Sequence, residues 1–257
     1  MMFSRGRPPI ELKTPAQLDR MRAAGLVVAR TLAVLSAAVA PGVTTAELDK
    51  LAEVSIRDLG GTPSFLGYQG YPATICTSVN DEVVHAIPSP DRVLRDGDLI
   101  SVDCGAIVDG WHGDAAITVG VGVIGEAPAR LIEVCERALW AGIAKAQAGG
   151  RLGDVSYAVE QASDGYGVVT GYTGHGIGTE MHMDPAVPNY GRPGRGPRLV
   201  PGMALAIEPM LTLGTRETSV LADDWTVVTA DGSWAAHFEH TIAITLEGPK
   251  VLTALES

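Results

Sequence analysis

The chain has 257 residues, of which 46% are hydrophobic and 19% are charged, and its formal net charge is −11. This length and composition suit a globular protein with a substantial buried core, and they exclude disordered and fibrous chains. The negative charge argues against DNA, broad nucleic-acid binding or an anionic membrane as the main partner.

The cysteines and the N-terminal residues point to the cytoplasm. Cys76, Cys104 and Cys135 form no C-x-x-C pair, and an odd number of cysteines cannot form a full disulfide set. The opening MMFSRGRPPIELKTP lacks the apolar centre of a secretory signal. The longest apolar stretch, residues 25–43, is interrupted by Arg30, which predicts a core helix and no membrane span.

The first elements along the chain are two predicted helices. Thr14 is placed to cap the first helix with Gln17 as its capping-box partner, and apolar residues then recur every three or four positions up to Pro41-Gly42. Thr44 and Glu47 repeat the capping pattern and open a second helix that runs to Leu59.

The same arrangement returns in the second half of the chain. A long helix is predicted over residues 127–147, and a shorter helix is predicted from Asp154 to near Asp164. Each helix pair precedes strand-like runs, at residues 74–79 and 98–108 and then at 203–213 and 225–245. The pattern predicts two related α+β halves around a shared sheet.

Two aspartates flank a predicted hairpin at residues 101–114, SVDCGAIVDGWHGD. The Asp109-Gly110 pair favours a tight turn that places Val108 opposite Trp111. Asp103 then lies opposite Ala116, and the two-residue period of a strand puts Asp114 on the same face.

Two carboxylates at that distance repel one another, so the pattern needs an explanation. They share a proton, bind cations, or lie solvated at strand ends. Other residues favour cations: His175 stands between two glycines, and Glu208 and Glu239 interrupt apolar strand-like runs where an unpaired acid is costly. The glycines near His175 do not have the G-x-G-x-x-G spacing of a nucleotide-binding loop.

This set of residues resembles the metal centre of the type I methionine aminopeptidases. The resemblance covers nearly the whole chain from about Ile10. It rests on these segments, in order: KTP and MRAAG near the N-terminus, YQGYP, NDEVVHAIP, DGWHGD, GHGIG, IEPM and EHT. It implies an α+β pita-bread (creatinase/aminopeptidase) fold, in which two pseudo-symmetric halves pack helices on a central curved antiparallel sheet. Residues 1–9 are then expected to be a flexible tail, and residues 10–257 a single catalytic domain of the short bacterial type.

The resemblance also assigns the ligands. Asp103 would bind one divalent ion, His175 and Glu208 the other, and Asp114 and Glu239 would bridge both. An oxygen-rich ligand set favours Fe(II), Mn(II) or Co(II), with zinc or nickel as further choices. A hydroxide held between two such ions is a strong nucleophile at neutral pH.

On the substrate side, the resemblance implies roles for two more histidines and an apolar pocket. His85 and His182 would bond the substrate and shuttle protons, and Glu208 is also a candidate proton acceptor. The wall of the methionine pocket would comprise Tyr68, Tyr71, Cys76, Met181 and Trp225. Phe65 and Met181 differ from the residues that are commonest at these positions in the family. Both differences affect the size of the pocket.

The implied reaction is removal of the initiator methionine from nascent polypeptides whose second residue is small. A monomer near the ribosomal exit tunnel is expected. Arg192, Arg195 and Arg198 either contact ribosomal RNA or form an ordinary solvated loop. The alternatives are an Xaa-Pro peptidase of the same fold, which usually carries a further N-terminal domain, and a non-catalytic binding protein on this scaffold.

Overall fold

The computed structural model describes residues 10–255, so the predicted tail lies outside the described residues. The helices in this range are α1 (Pro15–Ala38), α2 (Thr45–Asp58), α3 (Glu126–Lys145) and α4 (Leu152–Ala162). The strands are β1 (Thr62–Pro63), β2 (Ile75–Val79), β3 (Glu82–Val84), β4 (Leu99–Val108), β5 (Trp111–Gly120), β6 (Gly167–Val168), β7 (Gly174–Gly176), β8 (Met183–Val187), β9 (Ala204–Ile207), β10 (Met210–Thr212), β11 (Thr218–Val220), β12 (Val227–Thr229), β13 (Ala235–His237), β14 (Glu239–Thr245) and β15 (Gly248–Val251).

The starts of the first two helices confirm the predicted capping boxes. The Thr14 N–H donates to the side-chain oxygen of Gln17 at 2.7 Å, and the Thr44 N–H donates to Glu47 at 2.8 Å. Each bond satisfies a backbone donor that the helix itself leaves unpaired. A side chain at Gly25 would meet the carbonyl oxygen of Leu252, so this glycine lets α1 lie close to the C-terminal segment.

Helix α1 is a core element, as the sequence predicts. By length and composition alone α1 could cross a membrane, yet half of its most hydrophobic 18-residue stretch is buried inside the fold. Its buried side chains join those of α2 and β4 in one hydrophobic cluster. Burial against a sheet accounts for the apolar stripe.

The second helix pair differs from the prediction at its boundaries. Helix α3 ends at Lys145, before residue 147, and α4 begins at Leu152, before Asp154. The Asp154 carboxylate accepts the Arg151 N–H at 2.8 Å, so Asp154 lies inside the first turn and caps the helix from there. Predicting Asp154 as the first residue was therefore wrong by two positions.

A large antiparallel sheet connects the two halves. Its order is β1-β4-β5-β14-β9-β7-β8, with β2 paired to β4 and β15 paired to β14. One hydrophobic cluster lies under α1 and α2, and another lies under α3 and α4. The predicted α+β architecture, with helix pairs packed on a central sheet, is confirmed.

The predicted strand run over residues 203–213 is interrupted at Glu208-Pro209. Strand β9 belongs to the central sheet, whereas β10 pairs with β6 and β13 in a separate three-stranded sheet. Proline has no N–H to donate to a ladder and restricts the residue before it, so the strand breaks there. Glu208 therefore follows β9 and does not lie inside a strand, contrary to the prediction.

Candidate metal centre

The β4–β5 hairpin forms with the predicted register. Val108 pairs with Trp111, and Asp103 pairs with Ala116. Asp109 and Gly110 have φ angles of +49° and +78°, as the tight turn requires. Asp103 and Asp114 line the same pocket, and each carboxyl group influences the pKa of the other. The sequence-based argument that these two side chains converge is confirmed.

A third acid and a histidine reach the same point from other strands. Glu239, at the start of β14, pairs with Ala116, which is also the partner of Asp103. Ligand atoms of Asp114, His175 and Glu239 all lie within 4.8 Å of one another. The neighbouring strands β4, β5 and β14 therefore place their acids on one face of the sheet.

His175 is held in a form suited to binding a metal. Its Nδ1 lies 2.9 Å from the carbonyl oxygen of Gly176, which only accepts hydrogen bonds, so Nδ1 carries the proton. Nε2 is left with a free lone pair and faces the Glu208 carboxylate at 3.5 Å. Burial, with the nearby His182, lowers the pKa of His175 to about 4, so the ring is neutral at pH 7.

The flanking glycines make this placement of His175 sterically feasible. A side chain at Gly174 would meet the carbonyl oxygen of Ala206, and one at Gly176 would meet that of Asp184. Only glycine lets β7 lie this close to its neighbours.

The four acids are electrostatically strained without a cation. Burial raises the pKa of Asp103 to about 7. Burial and the neighbouring carboxylates raise the pKa values of Asp114, Glu208 and Glu239 well above their ordinary range. Among residues 10–255, buried carboxylate oxygens of Asp103, Asp114 and Glu239 have no hydrogen-bond partner, and no lysine or arginine lines the pocket. Hard divalent cations would supply the missing positive charge, so the residues fit a metal.

The pocket above these acids has a volume of about 200 Å³. All twelve residues that the sequence assigns to the site line it: Tyr68, Tyr71, Cys76, His85, Asp103, Asp114, His175, Met181, His182, Glu208, Trp225 and Glu239. The structure thus brings the whole predicted set together.

The two outer histidines are fixed by aromatic neighbours. Nδ1 of His182 lies 2.8 Å from the Tyr68 hydroxyl, and its ring centroid is 4.3 Å from that of His175. His85 packs edge-on against Tyr172 at 5.6 Å between centroids. Burial, with the nearby His182, lowers the pKa of His85 to about 4, so His85 is a neutral hydrogen-bonding group at pH 7.

One wall of the pocket is apolar and rich in sulfur and aromatic rings. Phe65, Tyr71, Cys76 and Met181 form a buried cluster, against which Trp225 packs. The Tyr71 hydroxyl lies 3.1 Å from the Ile75 carbonyl oxygen and 3.0 Å from that of Ala86, and a bifurcated hydrogen bond to the two fixes its ring. Such a wall suits an unbranched, polarizable side chain.

Comparison with known proteins decides the family. The sequence model of Metallopeptidase family M24 matches residues 19–246. The chain belongs to metallopeptidase family M24. A relative called methionine aminopeptidase 1 in Mycobacterium tuberculosis is 56% identical over 97% of both chains. The methionine aminopeptidase 1 of Bacillus subtilis is 50% identical over 94% of this chain and 98% of that protein.

Solved structures of M24 relatives confirm the predicted pita-bread fold. The crystal structure of methionine aminopeptidase from Thermotoga maritima superposes with a TM-score of 0.95 at 43% identity, covering 96% of this chain and all of that chain. The Xaa-Pro dipeptidase from Bacillus anthracis gives 0.77 at 24% identity, and the match covers 62% of that chain. The second likeness concerns the fold alone.

Several residues of this M24 pocket escaped the sequence argument. Val84, Tyr172, Thr173 and Met210 also line it. They come from segments far apart in the chain. None of them is a charged residue within an apolar run, which is the signal that identified Glu208 and Glu239. Tyr172 and Thr173 adjoin the glycine-flanked histidine, and that adjacency is the one signal that could have identified them.

Further residues support the candidate metal ligands from behind. The Thr241 hydroxyl donates to the Asp114 carbonyl at 2.8 Å and accepts the Asp114 N–H at 3.1 Å, which joins β14 to β5. The His112 ring lies 3.0 Å from the Ser64 hydroxyl. Such contacts hold ligand-bearing strands in place.

Proposed function

We propose that this M24 metallopeptidase removes N-terminal methionine from polypeptides, by metal-dependent hydrolysis of the first peptide bond, when the second residue is small. The observation that carries the proposal is the junction of a buried four-acid, one-histidine cluster with an apolar pocket of about 200 Å³. The relatives named methionine aminopeptidase, at up to 56% identity, support this activity over the alternatives.

The proposed ligands are Asp103, Asp114, His175, Glu208 and Glu239, holding two divalent ions of which Fe(II), Mn(II) and Co(II) suit the oxygen-rich set best. When bound, such ions supply Lewis acidity and lower the pKa of water towards about 7. The protein would contribute the unprotonated Nε2 of His175 as one ligand. It would also contribute buried carboxylates, whose mutual repulsion the ions would relieve.

The remaining polar groups would orient the substrate and move protons. Glu208 is 3.5 Å from the ligand nitrogen of His175 and has a raised pKa because of burial, which suits a carboxylate that accepts a proton during hydrolysis. His182, held by Tyr68, would donate to the carbonyl oxygen of the scissile bond. His85 is neutral at pH 7 and would bond the peptide amide.

Side-chain selection would come from the apolar wall. Tyr71 and Trp225 meet edge-on at 5.0 Å, and Cys76 and Met181 add sulfur atoms to the same buried cluster. A methionine thioether makes favourable contacts with such aromatic and sulfur surfaces. A charged or branched first residue would lose hydration or collide with the wall.

The proposed setting is the cytoplasm, where a monomer would act on nascent chains close to the ribosome. Free N-termini that begin with methionine are produced there by translation. All cysteines in the chain are free and buried, in keeping with a reducing compartment.

Hydrolysis of Met-Ala-Ser and Ala-Pro-Ala by protein reconstituted with Mn(II) tests the activity. We expect cleavage of the first peptide, with Asp114→Asn inactive and Asp109→Asn, a control at the tip of the same hairpin, fully active. Preference for Ala-Pro-Ala would favour the Xaa-Pro peptidase. Equilibrium dialysis that detects no bound metal would favour a non-catalytic binding protein.

A further inference from the structure

The C-terminal segment, residues 252–254, is fastened between helix α1 and strand β14. Arg22 of α1 donates through its Nη1 to the carbonyl oxygens of Leu252 and Ala254, at 2.7 and 2.6 Å. On the other side, the Leu252 N–H donates to the Thr241 carbonyl oxygen of β14 at 2.8 Å. This segment is therefore a fixed part of the fold, and its side chains have defined positions beside β14.

The Thr253 side chain of this segment is buried and serves two consecutive residues of β14. It is only 2% exposed. Its hydroxyl oxygen accepts the Thr241 N–H at 3.1 Å and lies 2.9 Å from Nδ1 of His240. A hydroxyl has one hydrogen to donate and two lone pairs, so a single oxygen can hold a backbone group and a ring at once.

The bonded residue Thr241 lies where β14 changes its partner strand. Glu239 and His240 pair with β5, whereas the residues from Ile242 onwards pair with β15. Backbone groups at such a junction need partners from outside the regular ladder. Here the Thr253 hydroxyl takes the N–H of Thr241, in the place that a backbone carbonyl occupies along a regular strand.

This junction adjoins two of the proposed metal ligands. Glu239 directly precedes His240, whose ring the Thr253 hydroxyl contacts. The Thr241 side chain, in turn, bonds both backbone groups of Asp114 on β5, at 2.8 and 3.1 Å. The same two acids offer ligand atoms within 4.8 Å of each other. One buried hydroxyl is thus connected to the backbone of both ligands.

We propose that Thr253 is a positioning residue for the metal centre. Its hydroxyl fixes two consecutive residues of β14, and through them it keeps the carboxylates of Glu239 and Asp114 within reach of one ion. Without the hydroxyl, the Thr241 N–H would lose this buried partner, and β14 would have to shift to replace it. The inference rests on the proposed metal-dependent function, and it concerns a residue that does not line the pocket.

Isothermal titration of Mn(II) into the metal-free chain tests the role without any substrate. Thr253→Val keeps a branched side chain and removes the hydroxyl, and we expect it to weaken Mn(II) affinity by about 10- to 100-fold, the range for residues that orient metal ligands. Thr253→Ser keeps the hydroxyl and should bind Mn(II) like the native chain. The matched control is Thr31→Val, which removes a buried hydroxyl that lies 3.0 Å from Ser55 in the α1–α2 pair and should leave the affinity unchanged.

Native-like Mn(II) affinity of Thr253→Val, or an equal loss in Thr31→Val, would overturn the proposal. If Thr253→Val does not fold, Thr253→Ala removes the same hydroxyl from a smaller side chain and carries the same expectation. Amide hydrogen exchange followed by NMR gives a second measurement in the metal-free chain. The Thr241 N–H should exchange faster in the variant without the hydroxyl, and an unchanged rate would contradict the bond on which the role depends.

Kinetics separate this role from a contact with the substrate. At one Mn(II) concentration for all variants, Thr253→Val should lower kcat for Met-Ala-Ser and leave KM unchanged, because no residue of the apolar wall is altered. A rise in KM with native kcat would contradict the assignment. A native chain that binds no Mn(II) would refute the proposed metal-dependent function itself, whereas equal Mn(II) binding by the native chain and Thr253→Val would refute only the positioning role.

Discussion

Asp103→Asn should stabilise the metal-free protein at alkaline pH. The pKa of Asp103 is raised by burial to about 7 in the fold, against about 3.9 in an unfolded chain. An acid with a raised pKa favours folding while it is protonated, so this contribution is fully present below about pH 4 and is lost as the pH rises through 7. At pH 8.5, above both pKa values, the ionised Asp103 therefore destabilises the fold by about 4 kcal/mol.

Asparagine carries no charge at this position, so Asp103→Asn removes the destabilisation caused by the ionised carboxylate. In EDTA at pH 8.5, we expect Asp103→Asn to raise Tm by about 10 °C, and at pH 5 the gain should fall to about a third of that. Adding Mn(II) at about 100 times its dissociation constant should stabilise the native chain by about 2.7 kcal/mol and the variant by less, because the variant lacks a proposed ligand.

Thermal unfolding by differential scanning calorimetry measures these shifts. Asp109→Asn serves as control, because Asp109 is exposed at the hairpin tip with a φ of +49° that asparagine adopts readily. The electrostatic reasoning is refuted if Asp103→Asn is no more stable than the native chain in EDTA at pH 8.5, or if its gain is the same at pH 5.

Three further predictions concern the same site. Glu239→Gln should reduce hydrolysis by more than about 100-fold, which exceeds the loss expected for a residue that only supports a ligand. Its far-UV circular dichroism spectrum should be unchanged; an unfolded variant would instead make Glu239 a folding residue. Mn(II) affinity should rise from pH 5 to pH 8 with proton release, since burial and the neighbouring carboxylates raise the pKa of Asp114 and metal binding needs its ionised form; calorimetry in buffers of different ionisation enthalpy detects this, and zero release would contradict it. Gly176→Ala should destabilise the fold by about 1–3 kcal/mol in urea unfolding, because the new methyl meets the Asp184 carbonyl; unchanged stability would show that β7 can shift.

Local interactions explain what the sequence predicted well. The capping boxes at Thr14 and Thr44 join residues three positions apart, and the Asp109-Gly110 turn fixes the register of its own hairpin. In each case the interacting groups are near neighbours in the chain, so their geometry follows from residue type. The convergence of Asp103 and Asp114 was predictable for the same reason.

Boundaries that depend on distant contacts were less predictable. The run over residues 203–213 is apolar except for Glu208 and Thr212, yet its two parts belong to different sheets and it breaks at Glu208-Pro209. The pocket position of Met210 results from the pairing of β10 with β13, and that of Tyr172 from the segment that leads into β7. Their apolar character is equally compatible with an ordinary core position, so composition does not distinguish the two.

The sequence by itself determined the elements, the hairpin and the residue types of the site, because acids and a histidine in apolar segments are costly without a partner. Tertiary structure alone decided that the two aspartates of this hairpin meet His175 and Glu239. A helix pair separates β14 in the chain from the β4–β5 hairpin, and the pairing of these strands places Asp103 and Glu239 opposite the same residue, Ala116. It also decided which nitrogen of His175 is free, since the Gly176 carbonyl is positioned by the backbone of β7. The physical reason is that burial and mutual repulsion exist only once the chain has folded around these charges.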